Sequence, residues 1–424
     1  MGDSRTLEPA SGPFHAGVRV PGDKSLSHRA IIFATLAKSS SDITGLAPGR
    51  DVAASLAAVT QLGVRQAGSR LFPPEHLHDP GEPIDCGNSG TTMRLLAGAL
   101  AAAPLHVTLT GDSSLRSRPM RRLVAPLTAL GAAVETESNG TAPMTIDGTH
   151  LKGADVSIDV ASAQVRSAFE LAAIQATGPS TIESPPGYRD HTERWLESFG
   201  LGATGKGTKM RITPGRIPGA RYEIPGDPSS AAYLWASAAL ISGSQIVTPG
   251  VSLNPGRLGF LAILERMGAE VHGEVTGALH GDPVGTVSVT GRGLQAVEVS
   301  GDAVAATIDE LPLVAVLGAY AEGITIVRDA AELRAKESDR TVSTAAMIRA
   351  LGGGAETTED GFAIVGTGFL MGGIVDAAGD HRIAMAAAVA ATRADASVTI
   401  AGACAADVSW PSIYETLEAV WSSQ

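Results

Sequence analysis

Apolar positions along this chain fall into two textures that alternate. Ala-, Leu- and Ile-rich stretches with almost no charge occupy residues 30–36, 92–103, 165–177, 231–241, 311–320 and 383–392. Lacking a polar stripe, each predicts a buried helix. About thirty residues after these come amphipathic segments that end in an apolar residue plus glycine and lead into a short strand: Leu62-Gly63, Leu130-Gly131, Phe199-Gly200, Met267-Gly268 and Leu351-Gly352. Glycine in that place is a helix C-cap. These glycines are separated by 68, 69, 68 and 84 residues, and residues 414–421 form a sixth such helix without its glycine. The spacing predicts one unit of strand, buried helix, strand, amphipathic helix, strand and a further strand, repeated six times. An α/β protein of two domains, three units each, follows.

One turn motif occurs twice. An alternating run, Gly17-Val18-Arg19-Val20, enters Pro21-Gly22-Asp23-Lys24-Ser25-Leu26-Ser27-His28-Arg29 and then the first buried helix, so the reading is strand, tight turn, helix. Its echo, Pro225-Gly226-Asp227-Pro228-Ser229-Ser230, lies 204 residues on and lacks the cations. The chain is therefore expected to cross between domains at these two places. Residues 1–21 and 225–424 form one discontinuous domain, residues 22–224 the other, and the two strands between them act as a hinge. Backbone N–H groups at a helix start favour an anion, and Lys24 and Arg29 add full charges; a capped helix with solvated cations is the alternative. The spacing of a P-loop is missing.

Composition narrows the function. With 424 residues, 44% of them hydrophobic, the chain buries a large core, and its net charge of −12 opposes nucleic acid or an anionic membrane as partner. Only Cys86 and Cys404 occur, without metal-ligand spacing, which fits a reducing compartment. The polar start has no signal-peptide pattern and no apolar run approaches a membrane span, so a soluble, cytoplasmic protein is expected.

Against that acidic background, clustered cations stand out. Gly87-Asn88-Ser89-Gly90-Thr91-Thr92-Met93-Arg94 is a Gly-rich turn opening a buried helix, and Cys86 beside it reads as a buried thiol. Residues 113–122 hold Arg116, Arg118, Arg121 and Arg122, an anion site or a mobile basic loop. Ser162-Ala163-Gln164-Val165-Arg166 opens another buried helix, and Arg189-Asp190-His191-Thr192-Glu193 lacks metal spacing. The second half differs in sign. Asp309-Glu310-Leu311-Pro312, Lys336-Glu337-Ser338-Asp339-Arg340 and Asp380-His381-Arg382 mix carboxylates with cations. If residues 336–340 are helical, Lys336 and Arg340 share a face, with Glu337 beside Arg340. A cleft between the halves then suits a polyanionic ligand placed next to acid and base groups.

In order and spacing, these motifs resemble the 5-enolpyruvylshikimate-3-phosphate synthase family over residues 21–411, nearly the whole chain. The resemblance implies two inverse α/β domains, each of three βαβαββ repeats, closing over shikimate 3-phosphate and phosphoenolpyruvate, with no metal or organic cofactor; a monomer is expected. The Gly22-Asp23-Lys24, Ser162-Ala163-Gln164 and Arg189 to Glu193 motifs are similar to the class II subgroup, which includes glyphosate-tolerant members. Arg166 stands where that subgroup has Lys, Gly256 where it has Thr, and Val408 where some members have a lysine.

By position, the resemblance assigns Lys24, Ser25 and Arg29 to both substrates, and Ser162, Ala163, Gln164 and Arg189 to shikimate 3-phosphate. It assigns Gly90 and Arg118 to phosphoenolpyruvate, Arg340 and Arg382 to its carboxylate, and Asp309 and Lys336 to the shikimate hydroxyls. Asp309, Glu337 and Lys24 are the expected catalytic groups. The implied activity moves the enolpyruvyl group to the 5-hydroxyl of shikimate 3-phosphate. The alternatives are a paralogue acting on another polyol phosphate, a binding protein on the same scaffold, and the related transferase acting on UDP-N-acetylglucosamine. That last enzyme carries a reactive cysteine in the Arg-Pro loop, where this chain has Ser113.

Overall fold

The computed structural model describes residues 3–423. Its strands form six small sheets on one plan. In the sheet around His106–Thr110, the lead strand Ile84–Asp85 runs parallel to this central strand. Met144–Asp147 pairs antiparallel on the other side and Ala133–Thr136 antiparallel beyond it. Asp155–Ser157, Ser180–Glu183, Met210–Ile212 and Gly202–Thr204 repeat the pattern. So do Glu298–Val299, Gly323–Val327, Phe362–Gly366 and Gly354–Thr357. The last sheet pairs Gly373–Asp376 with Val398–Ala401 and takes its third strand, Ser4–Leu7, from the start of the chain.

In these four units a buried helix joins the lead strand to the central strand. In the other two the lead strands are exchanged. His15–Gly17 precedes the Lys24–Thr35 helix but runs parallel to Gln245–Ser252. Arg221–Glu223 precedes the Pro228–Leu240 helix but runs parallel to Ser41–Thr44. The exchange occurs at the two Pro-Gly-Asp copies. There the Asp23 N–H donates to the Pro225 carbonyl (2.7 Å) and the Asp227 N–H to that of Pro21 (2.8 Å).

Two compact units result. One holds the residues up to Pro21, Gly226–Gly277 and everything from Pro283; the other holds Gly22–Pro225 together with Ala278–Asp282. The small segment 278–282 is the tip of the hairpin made by Glu270–Leu279 and Asp282–Thr290. Its Asp282 is buried, accepting from Trp195 Nε1 (3.1 Å) and facing His191 Nδ1 (3.0 Å). No local pattern around residue 280 foretells that placement.

Three helices are the heart of each unit: Lys24–Thr35, Gly90–Leu100 and Ala163–Ala173 in one, Pro228–Leu240, Leu311–Tyr320 and His381–Ala391 in the other. Every residue of the last three is buried. Such helices have no solvated side, so their polar residues gather at the ends. Asp23, Ser89, Ser162, Asp227 and Asp380 each accept a backbone N–H of the first turn, satisfying a donor the helix leaves orphaned. Among the described residues no helix is long and apolar enough to cross a membrane.

Close backbone approach explains the glycine of the first turn motif. A Cβ on Gly22 would lie 1.8 Å from the Gly45 carbonyl oxygen, a backbone atom with little freedom to yield. Gly22→Ala is expected to cost at least about 3 kcal/mol of unfolding free energy, at the upper end for overpacking. Gly12→Ala, which meets nothing within 4 Å, should leave the denaturation midpoint unchanged.

Candidate active site

The Gly22–Pro225 unit gathers hydroxyl, amide and cationic groups at the starts of its three buried helices. Lys24 Nζ meets Asp51 Oδ2 at 3.0 Å, an acid supplied by the Arg50–Gln61 helix. Arg29 is buried and donates to Thr192 Oγ1 (2.8 Å), Ser167 Oγ (3.0 Å) and the carbonyl of half-buried Ser25 (3.1 Å). This guanidinium ties the first turn motif to the Ala163–Ala173 and His191–Ser198 helices. His28 Nδ1 lies 2.8 Å from Ser55 Oγ, and hydrogen bonds continue through Thr92 to the Ser89 cap. Burial pushes His28 down to about 3 against the opposing pull of Asp51, so it stays neutral at working pH.

The Gly-rich turn and the third helix start are joined side chain to side chain. Gln164 donates to Thr91 Oγ1 (2.9 Å) and accepts from Arg94 Nη1 (2.5 Å). A Cβ on Gly90 would sit 2.6 Å from Arg94 Nη1, so glycine leaves room for the guanidinium. Ser162 caps this helix through the Val165 N–H (3.4 Å), and Ala163 is its first residue. Of the four arginines in residues 113–122, Arg118 turns toward the Gly-rich turn, donating to Asn88 Oδ1 (2.7 Å) and Ser114 Oγ (3.1 Å). Arg121 is exposed and bonds the Ser138 carbonyl (2.6 Å). Arg189 is half-buried on the segment before the His191–Ser198 helix. Cys86 is buried, and burial pushes its thiol up to about 12, which removes it as a nucleophile.

In the other unit, one guanidinium organises three carboxylates. Arg340 is 1% exposed; its Nε donates to Asp380 Oδ2 (2.8 Å) and its Nη2 to Glu337 Oε2 (2.6 Å) and Asp380 Oδ1 (3.2 Å). Its Nη1 reaches Asp309 Oδ1 at 3.4 Å. Burial alone would lower the Arg340 pKa, but Asp380, Glu337 and Asp309 outweigh it and hold the group firmly charged. Burial likewise opposes ionisation of Asp380, yet Arg340 wins and holds its carboxyl below the usual range.

The structure corrects the helical reading of residues 336–340. The helix begins only at Arg340, because Asp339 caps it and accepts from the N–H groups of Thr341 (3.1 Å) and Val342 (3.3 Å). Lys336 follows a 3-10 turn in extended geometry and is half-buried, so it shares no helical face with Arg340. Glu337 reaches Arg340 all the same, from a loop.

A second network surrounds Arg382 and draws on residues far apart in the chain. Arg382 Nη1 lies 3.4 Å from the Tyr233 hydroxyl and 3.6 Å from Glu310 Oε1. Glu310 accepts from Ser229 Oγ (2.5 Å), and Arg257 Nη2 donates to Asp227 Oδ1 and Ser229 Oγ, both at 2.8 Å. The echo motif thus recovers a cation in space from the Asn254-Pro255-Gly256-Arg257 turn. Sequence reasoning missed Tyr233, Glu310 and Arg257 as members of one network. The signal available for Arg257 was the match of its turn to Pro48-Gly49-Arg50 of the first half, 207 residues earlier. Val408 closes the 3-10 segment Ala403–Val408.

Removing Asp380 should be costly, since buried Arg340 loses the carboxylate that meets both its Nε and Nη2 and keeps only Glu337 and Asp309. Asp380→Asn is expected to lower unfolding free energy by about 3 kcal/mol at pH 7, the lower end for breaking a buried pair. The folded-state pKa is depressed, so the stabilisation is full above the ordinary value of 3.8 and is lost as pH falls through the lower folded value. Denaturant titrations of the two proteins should therefore converge below pH 3.8 and stay parallel above it.

Comparison with known proteins agrees with this architecture. The profile of the family described as EPSP synthase (3-phosphoshikimate 1-carboxyvinyltransferase) matches residues 9–417. A Herpetosiphon aurantiacus protein named 3-phosphoshikimate 1-carboxyvinyltransferase is 43% identical, over 94% of this chain and 95% of its own. A Chloroflexus aurantiacus protein of the same name is 44% identical over 95% and 96%. The solved structure of EPSP synthase from Acinetobacter baumannii superposes with a TM-score of 0.87 at 36% identity, covering 98% of each chain. The chain belongs to the EPSP synthase (3-phosphoshikimate 1-carboxyvinyltransferase) family.

Proposed function

We propose that this chain is a 3-phosphoshikimate 1-carboxyvinyltransferase: it moves the enolpyruvyl group of phosphoenolpyruvate to the 5-hydroxyl of shikimate 3-phosphate and releases inorganic phosphate. The product feeds chorismate and aromatic amino acid biosynthesis. The observation that carries the reading is the buried Arg340 with Asp309, Glu337 and Asp380 around it. An addition-elimination of this kind needs a proton delivered to the methylene carbon, which makes the neighbouring carbon electrophilic toward the 5-hydroxyl. The tetrahedral ketal then expels phosphate while the added methyl group gives up a proton. One group must act as acid and later as base.

Three carboxylates meet one guanidinium here, so two remain beside the one it binds most closely. Asp380, held ionised by Arg340, is the fixed partner. The mobile proton falls to Glu337 at the methylene carbon and to Asp309 at the 5-hydroxyl. Lys24, oriented by Asp51, assists at the departing phosphate, where Arg118 and the N–H groups beside Gly90 supply further positive potential. Arg382, backed by Glu310 and Tyr233, is assigned to the phosphoenolpyruvate carboxylate with Arg340 charged behind it. Lys336 is assigned to the shikimate hydroxyls. Ser162, Ala163, Gln164 and Arg189 hold the phosphorylated acceptor. Ser25 joins them, with Arg29 placing its backbone.

Phosphate release from phosphoenolpyruvate should require shikimate 3-phosphate and be absent with UDP-N-acetylglucosamine; the reverse preference would overturn the reading. Glu337→Gln is expected to lose about 10²–10⁴-fold in kcat, the usual worth of a general acid-base group, with shikimate 3-phosphate affinity retained by calorimetry. Near-normal turnover would remove Glu337 from that role.

A further inference from the structure

A buried charge cluster behind the acceptor residues has no part in the chemistry above. Arg166 has no exposed surface, although it comes only two residues after Gln164. Its Nε donates to Glu193 Oε1 at 2.6 Å and its Nη1 to Ser184 Oγ at 3.1 Å. The guanidinium carbon lies 4.1 Å from the centre of the Tyr188 ring, and Nη2 faces Glu170 Oε1 at 3.7 Å. Burial, reinforced by Glu193, drives the Glu170 carboxyl well above the usual range despite Arg166.

These contacts share a geometric logic. Ser184, Tyr188 and Glu193 lie at the start, near the end and just beyond the segment that links the Ser180–Glu183 strand to the His191–Ser198 helix. That segment carries Arg189, immediately after Tyr188. Arg166 lies in the first turn or so of the helix opened by Ser162, Ala163 and Gln164. One planar guanidinium thus clamps the Arg189 segment onto the helix that carries the other acceptor residues. A charged cluster buried this deeply is a poor way to gain stability, because apolar residues of similar volume often serve as well or better. Its fork geometry and its stacking on a ring are what a lysine lacks.

We propose that Arg166 is a positioning residue for the phosphorylated acceptor: through Ser184, Tyr188 and Glu193 it sets the distance between Arg189 and the Ser162–Gln164 turn. The proposal rests on the reading that those residues hold shikimate 3-phosphate.

The test compares wild type, Arg166→Lys, Arg166→Met and Tyr188→Ala by steady-state kinetics in each substrate, calorimetric binding of shikimate 3-phosphate, and thermal unfolding. Arg166→Met and Tyr188→Ala should raise both KM and Kd for shikimate 3-phosphate about tenfold or more. KM for phosphoenolpyruvate and kcat should stay within about threefold, a loss of binding confined to one substrate. Arg166→Lys should fall between these and wild type. If Arg166→Met does not fold, the lysine variant and Tyr188→Ala carry the same comparison. Unchanged shikimate 3-phosphate affinity in folded variants overturns the proposal, as does a loss spread equally over both substrates and kcat. Failure of wild type itself to bind shikimate 3-phosphate would instead overturn the reading on which the proposal stands.

Discussion

A helix buried along nearly its whole length concentrates its polar groups at its start, Glu170 and Ser237 being interior exceptions that meet partners of their own, and this constraint organises the whole molecule. Six such helices form the hearts of the two units. Their first turns leave backbone N–H groups without intrahelical partners, so the chain supplies carboxylates and hydroxyls there. Five of the six starts are closed by a side-chain cap. The same places, apart from the start at Pro228, hold most of the residues assigned to substrates. Capping and chemistry therefore draw on one supply of polar groups, and the positive ends of the helices suit the anions the reaction handles.

The two units use that supply differently. In the Gly22–Pro225 unit, cations, amides and hydroxyls dominate, and buried Arg29 links three helices. In the other unit, the buried arginines Arg257, Arg340 and Arg382 each meet at least one carboxylate, and a lone arginine there would be costly to bury. Arg340 settles this with Asp380, Glu337 and Asp309; Arg257 does so with Asp227. One unit is thereby suited to binding phosphates and the other to holding and moving a proton.

The repeat was legible because its markers are local. Each C-capping glycine and each uncharged apolar run can be recognised within a dozen residues, and the six sheets follow their spacing. The exchange of lead strands at the Pro-Gly-Asp copies was half legible: the echo marked the places, while only the strand pairing reveals what is exchanged. Ion pairs were the part that local pattern could not supply. Lys24 with Asp51, Arg340 with Asp380 and Arg257 with Asp227 join residues 27, 40 and 30 apart. Residues 336–340 show the same limit in reverse. Helical spacing placed Lys336 with Arg340, but the Asp339 cap starts the helix too late, and Glu337 is held by the guanidinium instead of by helix geometry.

Glu337, held by Arg340, is assigned to deliver a proton to the methylene carbon and later to take one back from the resulting methyl group. Running the reaction in deuterium oxide and stopping it before completion tests this directly. Mass spectrometry should find deuterium in the methylene group of the product, with shikimate 3-phosphate present, and the rate at which label appears should fall about 10²–10⁴-fold in Glu337→Gln while that substrate still binds. A product free of deuterium, or label appearing at the wild-type rate in the variant, would contradict the account.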